Sequence, residues 1–209
     1  MNIIKEACVE SIKEAKAAEL QKADRVELCS RLDLDGLTPS RLIIKEAINS
    51  LTIPVKVMIR PKDGDFIYSK KDITKMRSEI DFCKSIGVGE VVFGVLNKNG
   101  QVDIDLTHLL AKEALPMKVT FHKAIDDTID IILELKRLSK VKEVTSILTS
   151  GGKDSALNGQ DTIKQIITEF SSRFNIISAG GITDINFDLV HNSIKGTEYH
   201  GKRIVGQLG

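Results

Sequence analysis

Apolar residues along this chain keep two alternating rhythms. Short runs rich in Val and Ile are followed by longer stretches in which apolar positions recur every three to four residues. The short runs predict strands over Ile3–Val9, Arg25–Ser30, Pro54–Arg60, Glu90–Leu96, Met117–His122, Val144–Thr149, Asn175–Gly180 and Thr197–His200. Gly, Pro, Asp or Asn bounds them, and such continuous apolarity marks parallel strands covered on both faces. The intervening stretches predict helices with legible starts. Ser11 with Glu14 forms a capping box, and Thr38-Pro39 supplies an N-cap followed by proline at the first helical position. Ser69 with Asp72 opens a helix ending at Gly87, and Thr183-Asp184 opens one ending near Gly196.

Eight strands in βα alternation predict an α/β fold, a TIM-type (β/α)8 barrel with right-handed crossovers. A doubly wound open sheet normally uses fewer strands, and no G-x-G-x-x-G follows the first strand here. No linker, low-complexity tract or shift of composition interrupts the chain, so residues 1–209 form one domain. Two E-x-C triplets, Glu6-Ala7-Cys8 and Glu27-Leu28-Cys29, recur one βα unit apart and are expected side by side.

Strand side chains alternate between faces, so parity sorts them. Val55, Val57 and Ile59 should meet the helices while Lys56, Met58 and Arg60 point inward. By the same rule Lys118, Thr120 and His122 face inward, as do Glu6 and Cys8, and Arg25, Glu27 and Cys29. Glu198 and His200 share one face of the last strand. The expected interior therefore places Glu6 and Glu27 near Lys56, Arg60 and Lys118. Barrel interiors are ordinarily branched aliphatics, and buried charge is costly unless paired. Such charges make either an ion-pair layer that fixes strand register or a ligand site at the carboxyl ends of the strands.

Composition narrows the function classes. The 209 residues carry 30 basic and 29 acidic side chains, a net charge of +1, which argues against a nucleic-acid footprint or a polybasic membrane patch. No uncharged run approaches the ~18 residues of a membrane span. Met1 to Glu6 reads directly into a strand without the regions of a signal peptide. Three cysteines do not make a secreted disulfide framework. A reducing cytoplasm is the expected setting.

Several residues carry candidate chemistry. Two inward cysteines on adjacent strands, Cys8 and Cys29, suit a soft ion such as Cu(I), although free cysteine also serves as a small buried hydrophobe. Cys83 falls within a helix and is expected to pack. His122 and His200 end strands five and eight, where an imidazole can act as a general acid–base. His108 and His191 fall on helices and are expected at the surface. Ser150 has no nucleophile elbow, so a hydrolase triad is unsupported. The segment Arg60 to Ser69 is long for a βα connection and suits a lid or an interface arm. Ser150-Gly151-Gly152 and Gly180-Gly181 follow strands six and seven, where glycine lets backbone N–H groups approach an anion.

These residues also carry a resemblance. Glu6-Ala7-Cys8-Val9-Glu10-Ser11, Ala23-Asp24-Arg25-Val26-Glu27-Leu28-Cys29-Ser30, Gly36-Leu37-Thr38-Pro39-Ser40 and Val57-Met58-Ile59-Arg60-Pro61 resemble the copper homeostasis protein CutC family. Gly64-Asp65-Phe66, Val92-Phe93-Gly94, Thr120-Phe121-His122-Lys123-Ala124, Leu148-Thr149-Ser150-Gly151-Gly152, Ala179-Gly180-Gly181 and Glu198-Tyr199-His200-Gly201 do so too. The resemblance implies a TIM-type barrel, a cytoplasmic location, homo-oligomeric assembly, and Cu(I) bound at the cysteines of the first two strands, here Cys8 and Cys29. The chain departs from the family with Lys62-Asp63-Gly64 where basic-Gly-Gly is common, and with Lys123 where Arg is usual. It ends nine residues after His200, so an eighth helix is expected to be short or missing, which would leave apolar strand surface for a neighbouring subunit.

Three functions follow as expectations. The first is a copper homeostasis protein using Cys8 and Cys29. The second is an enzyme acting on a small anionic or phosphorylated metabolite. There Arg60 and the two Gly-Gly turns would hold the anion, with Glu6 or Glu27 as base and His122 as acid. The third is an oligomeric scaffold whose inward charges only set register.

Overall fold

In the computed structural model, which describes residues 3–209, the predicted alternation becomes a closed barrel. Strands β1 (Ile4–Val9), β2 (Arg25–Leu28), β3 (Val55–Met58), β4 (Glu90–Phe93), β5 (Lys118–Phe121), β6 (Val144–Thr149), β7 (Asn175–Ser178) and β8 (Glu198–Gly201) pair in parallel and in chain order. β8 returns to β1. Met1 and Asn2, at the start of the expected N-terminal lead-in, lie outside the described residues. Helices α1 (Ile12–Leu20), α2 (Arg41–Ser50), α3 (Lys70–Ser85), α4 (Ile104–Ala114), α5 (Ile131–Leu138), α6 (Gln160–Phe170) and α7 (Phe187–Ile194) form the outer ring.

Parity explains where the core sits. Ala7, Val9, Val26, Leu28, Val57, Phe93, Val119 and Phe121 face outward and merge with helix residues such as Ile44, Ile80, Leu110 and Leu135 in one continuous layer. Inside the barrel lie two small apolar groups, Cys8 with Cys29, Met58 and Val92, and Leu148 with Ile177 and Ala179. The remaining interior is polar.

The two E-x-C triplets are not level. β1 and β2 pair Glu6 with Arg25 and Cys8 with Glu27, so Cys29 stands one inward position above Cys8. Tilted strands in a closed barrel require such a stagger. It places a cysteine, a carboxyl group and a second cysteine within reach of one another.

Local signals also shifted at helix starts. Ser69 and Asp72 do form a reciprocal capping box. Ser11 accepts from the Glu14 amide, but the Glu14 carboxylate takes the Glu10 amide rather than that of Ser11. Ser40, not Thr38, caps α2, because Thr38 Oγ1 instead accepts from the Arg60 amide at 2.8 Å and ties two loops together. Helix α7 starts at Phe187, since Thr183 and Asn186 bond each other and delay it.

Among the described residues no helix follows β8. The expected bare strand surface is nevertheless absent. Phe187 of α7 packs edge-on against Tyr199 at 5.1 Å, and the tail buries Ile204 and Leu208. Exposed apolar side chains, such as Leu20, Leu42, Ile129 and Ile185, sit on separate elements.

Candidate functional site

The polar interior has two levels. At the lower level Glu6, 1% exposed, receives Arg25 and, at 3.1 Å, the Lys56 ammonium. Lys56 also meets Glu90 at 3.0 Å and donates to Thr120 Oγ1 at 3.0 Å, while Arg25 reaches Glu198 at 2.6 Å. Burial favours the neutral acid at Glu6, but Lys56, Arg25 and His200 outweigh it and hold its pKa well below the carboxylate range. Arg25 is held above its ordinary value by the carboxylates of Glu6 and Glu198, against burial. Lys118 does not join this network. It is exposed at the amino-terminal mouth, because the strand start there lies outside the closed interior.

The upper level is built on β1, β2 and β8. Cys8 Sγ lies 3.8 Å from Cys29 Sγ, and Glu27 Oε2 is 3.5 Å from both sulfurs. His200 bonds through Nδ1 to Glu6 Oε1 at 2.7 Å, which turns Nε2 towards Glu27 Oε2, 3.7 Å away. Cys8, Glu27 and His200 can each offer a ligand atom within 4.8 Å of the others. The hydrogen bond with Cys29, opposed by burial and helped by His200, lowers the Cys8 pKa to about 5. Cys29 keeps its proton, pushed well above the usual thiol value by its bond to Cys8 and by burial. Burial, together with the charges of Cys8 and Glu6, raises Glu27 to about 8 against the pull of His200. Burial disfavours a charged His200, yet Glu27, Cys8 and Glu6 outweigh it and hold its pKa well above the ordinary value. The cluster thus favours a thiolate at Cys8 facing His200, beside a Cys29 thiol that holds its proton.

Arg60 and His122 stand apart from Glu6. Arg60 donates from Nη1 to the Leu34 and Gly36 carbonyls, at 2.9 and 3.2 Å, and from Nη2 to Gly64 O at 2.8 Å. It therefore staples the β2 and β3 loops over the cysteines, and its guanidinium sits 4.8 Å from the Phe66 ring. The Phe66 ring is 4.9 Å from His122. The segment expected as a lid is thus folded across the mouth and tied down. Burial and the neighbouring Arg60 push the His122 pKa down to about 3, so this imidazole is neutral and has no extra proton to give as the expected acid. Gly94 makes room for it: a Cβ there would come within 2.5 Å of His122 Nδ1.

The two glycine turns differ. Asp126 already fills the first, with Oδ2 accepting from Ser150 N at 2.8 Å and Oδ1 from Gly152 N at 2.9 Å. Gly151 N donates to Thr149 Oγ1 at 2.9 Å, and Ser150 Oγ lies between Asp126 Oδ2 and Lys153 O. The Ser150-Gly151-Gly152 turn is therefore occupied by the protein's own carboxylate, not held open for an anion. Gly180 and Gly181 face the central cavity at φ +104° and +67°.

Other expected positions resolve simply. Cys83 is buried in packing, which drives its thiol up to about 12. His108 is exposed, whereas His191 bonds Tyr199 Oη at 2.8 Å and stacks on Phe187. Sequence reasoning missed Glu90 and Asp126. Parity on β4 would have turned Glu90 inward; no local signal marks Asp126 as the anchor of a turn 24 residues later.

Above the cysteines the barrel opens into a cavity of about 740 Å³, reached from the carboxyl ends of the strands. No helix of the described residues is long and apolar enough to cross a membrane.

Comparison with known proteins sets this geometry in context. The model of the CutC family matches residues 3–205. A human protein named copper homeostasis protein cutC homolog is 40% identical over 195 residues, 93% of this chain and 71% of that protein. A Pasteurella multocida family protein CutC is 36% identical over 93% of this chain and 80% of its own length. The crystal structure of CutC from Streptococcus agalactiae superposes with a TM-score of 0.91 at 28% identity, covering 97% of this chain and 99% of that one. A phosphoribosylanthranilate isomerase from Thermotoga maritima, at TM-score 0.58 and 12% identity over 95% of this chain and 86% of its own, shares the barrel fold alone.

Proposed function

The chain belongs to the CutC family, and from that premise we propose that it is a copper homeostasis protein that binds Cu(I) between Cys8 and Cys29, with His200 as a third ligand. The observation that carries this reading is the pair of buried sulfurs 3.8 Å apart. That separation is less than two thiolate–metal bonds of about 2.3 Å each, so one ion can meet both sulfurs. Sulfur with imidazole is a donor set that favours Cu(I) over hard cations. Glu6 supports the same reading. By accepting from His200 Nδ1 it fixes the ring so that Nε2 faces Cys8 and Glu27, the carboxylate–histidine arrangement of many metal sites.

Each residue has a separate task in capture. Cys8, already a thiolate, meets the incoming ion first. Cys29 and His200 would then each release a proton to solvent, and Glu27 stands 3.5 Å from both sulfurs as their hydrogen-bond partner. Arg60 holds the loops that wall Cys29, where Gly36 leaves only van der Waals space: a Cβ there would lie 3.3 Å from Sγ. A reducing cytoplasm, where three unpaired cysteines persist, suits this chemistry.

Anaerobic Cu(I) titration against a competing chelator tests the reading. The wild type should bind one ion per chain, His200→Ala should weaken binding by about tenfold or more, and the Cys8→Ser/Cys29→Ser double variant should lose it. Undiminished affinity in that double variant would sink the proposal.

A further inference from the structure

The sulfur pair is buried beneath one loop, residues 31–36. Cys29 is fully buried and Cys8 is 6% exposed, although both stand on the wall of the central cavity. Their apolar neighbours Met58 and Val92 are buried as well, and the part-exposed residue packed against this group is Leu32, which also lines the cavity. Leu32 therefore shields the group on its solvent side. A Cβ at Gly36 would lie 3.3 Å from Cys29 Sγ and 3.6 Å from Leu32 Cδ2, so the loop folds directly onto this sulfur.

The loop is fastened unequally. Ser30 and Leu37 exchange backbone hydrogen bonds of 2.8 and 2.6 Å and close a narrow neck. The buried Arg60 guanidinium fixes one flank through the Leu34 and Gly36 carbonyls. The other flank is held by Glu10, whose Oε1 accepts from the Leu32 amide at 2.8 Å while Oε2 meets Lys202 Nζ at 3.5 Å. This second fastening is part-exposed, where water competes for its charges. It also draws one residue from each strand that carries a proposed copper ligand: Glu10 follows Cys8, Leu32 follows Cys29 and Lys202 follows His200. Between the fastenings Leu32–Leu34 form a short helical turn, bracketed by Arg31 and Asp35 at φ +51° and +61°. That left-handed backbone is unfavourable for residues other than glycine, so releasing the outer flank relieves it. We propose that residues 31–36 are a latched gate over the sulfur pair, with Leu32 as stopper and Glu10 as latch, and that its opening sets the rate at which Cu(I) enters and leaves. What passes the gate rests on the copper reading; the cover itself does not.

The test begins on the full-length, reduced, metal-free protein. Alkylation of each cysteine by iodoacetamide is timed by peptide mass spectrometry, with the buried Cys83 of α3 as the internal reference for general loosening. Leu32→Ala removes the stopper without changing charge and should speed alkylation of Cys29 by about fivefold or more. Glu10→Ala should speed it by about threefold or more. Glu10→Gln, whose amide oxygen still accepts from the Leu32 amide, should stay near the wild-type rate. Cys83 should keep its rate in all three variants. In the protein loaded with Cu(I), Leu32→Ala should quicken release to a competing chelator by about fivefold or more. Its equilibrium affinity should stay within about twofold of the wild type, because the ligands are untouched and opening speeds entry and exit alike. A wild type that binds no Cu(I) would defeat the copper reading, and the alkylation rates alone would then decide the cover. Cys29 alkylation unchanged in both Leu32→Ala and Glu10→Ala, equal acceleration at Cys83, Glu10→Gln as fast as Glu10→Ala, or a Cu(I) release rate unmoved by Leu32→Ala overturns the proposal.

Discussion

Cys8 and Cys29 share one wall yet carry different charges, because the stagger of β1 and β2 gives one of them His200 and leaves the other as its hydrogen-bond donor. The metal-free protein should therefore show a thiolate ultraviolet band that appears with a midpoint near pH 5. Cys8→Ser should abolish that transition, and Cys83→Ser should leave it unchanged. The same shifts fix a stability window. Cys8 and Glu6 have folded pKa values below their unfolded ones, so their contributions are present above the unfolded values and are lost as pH falls, for Cys8 through about 5. His200 is raised, so its contribution is complete below its unfolded value of about 6.5 and is lost as pH rises through its higher folded value. Urea unfolding across pH should show that His200→Ala flattens the alkaline side of the curve; an alkaline limb as steep as that of the wild type would contradict this assignment. Strand parity alone revealed Cys8, Cys29, Glu6 and Glu27 as inward. Their charge states were not legible, since each depends on neighbours brought in from other strands.

The loops at the carboxyl end are set by contacts that sequence distance hides. Asp126 lies in the short helical turn after β5 and holds the turn after β6 through Thr149, Ser150 and Gly152. Asp126→Ala would leave buried donors without an acceptor and should destabilise the protein by about 2–4 kcal/mol in urea denaturation. A loss below about 0.5 kcal/mol would show that the turn stands without it. Strand existence and parity were legible because alternation on a parallel strand is a local pattern. The starts of α2 and α7 were not, because Thr38 and Thr183 had a choice of partners: Thr38 took the distant Arg60 amide and Thr183 took Asn186. The Gly-Gly turns misled in the same way. Their glycines mark positive φ at Gly151, Gly152, Gly180 and Gly181, but composition cannot say whether the ligand is external or, as for the first turn, an internal carboxylate.

Across the whole barrel, the polar interior divides into a floor of ion pairs and the cysteine–histidine cluster above it. Glu6 joins the two, receiving Arg25 and Lys56 from below and His200 from above. Removing one partner of a buried ion pair costs about 3–5 kcal/mol, so Lys56→Met should destabilise by that order, measured by denaturant unfolding. A barrel of unchanged stability would mean the floor is dispensable. The barrel itself was legible from eight short apolar runs. The covering of β8 was not, since it rests on Phe187 of α7 packing against Tyr199. On the proposed reading, two sulfurs and one imidazole of this interior hold Cu(I). X-ray absorption on the protein loaded anaerobically with one Cu(I) per chain should then show two sulfur neighbours and one nitrogen neighbour around copper; a first shell of nitrogen and oxygen alone would exclude that site.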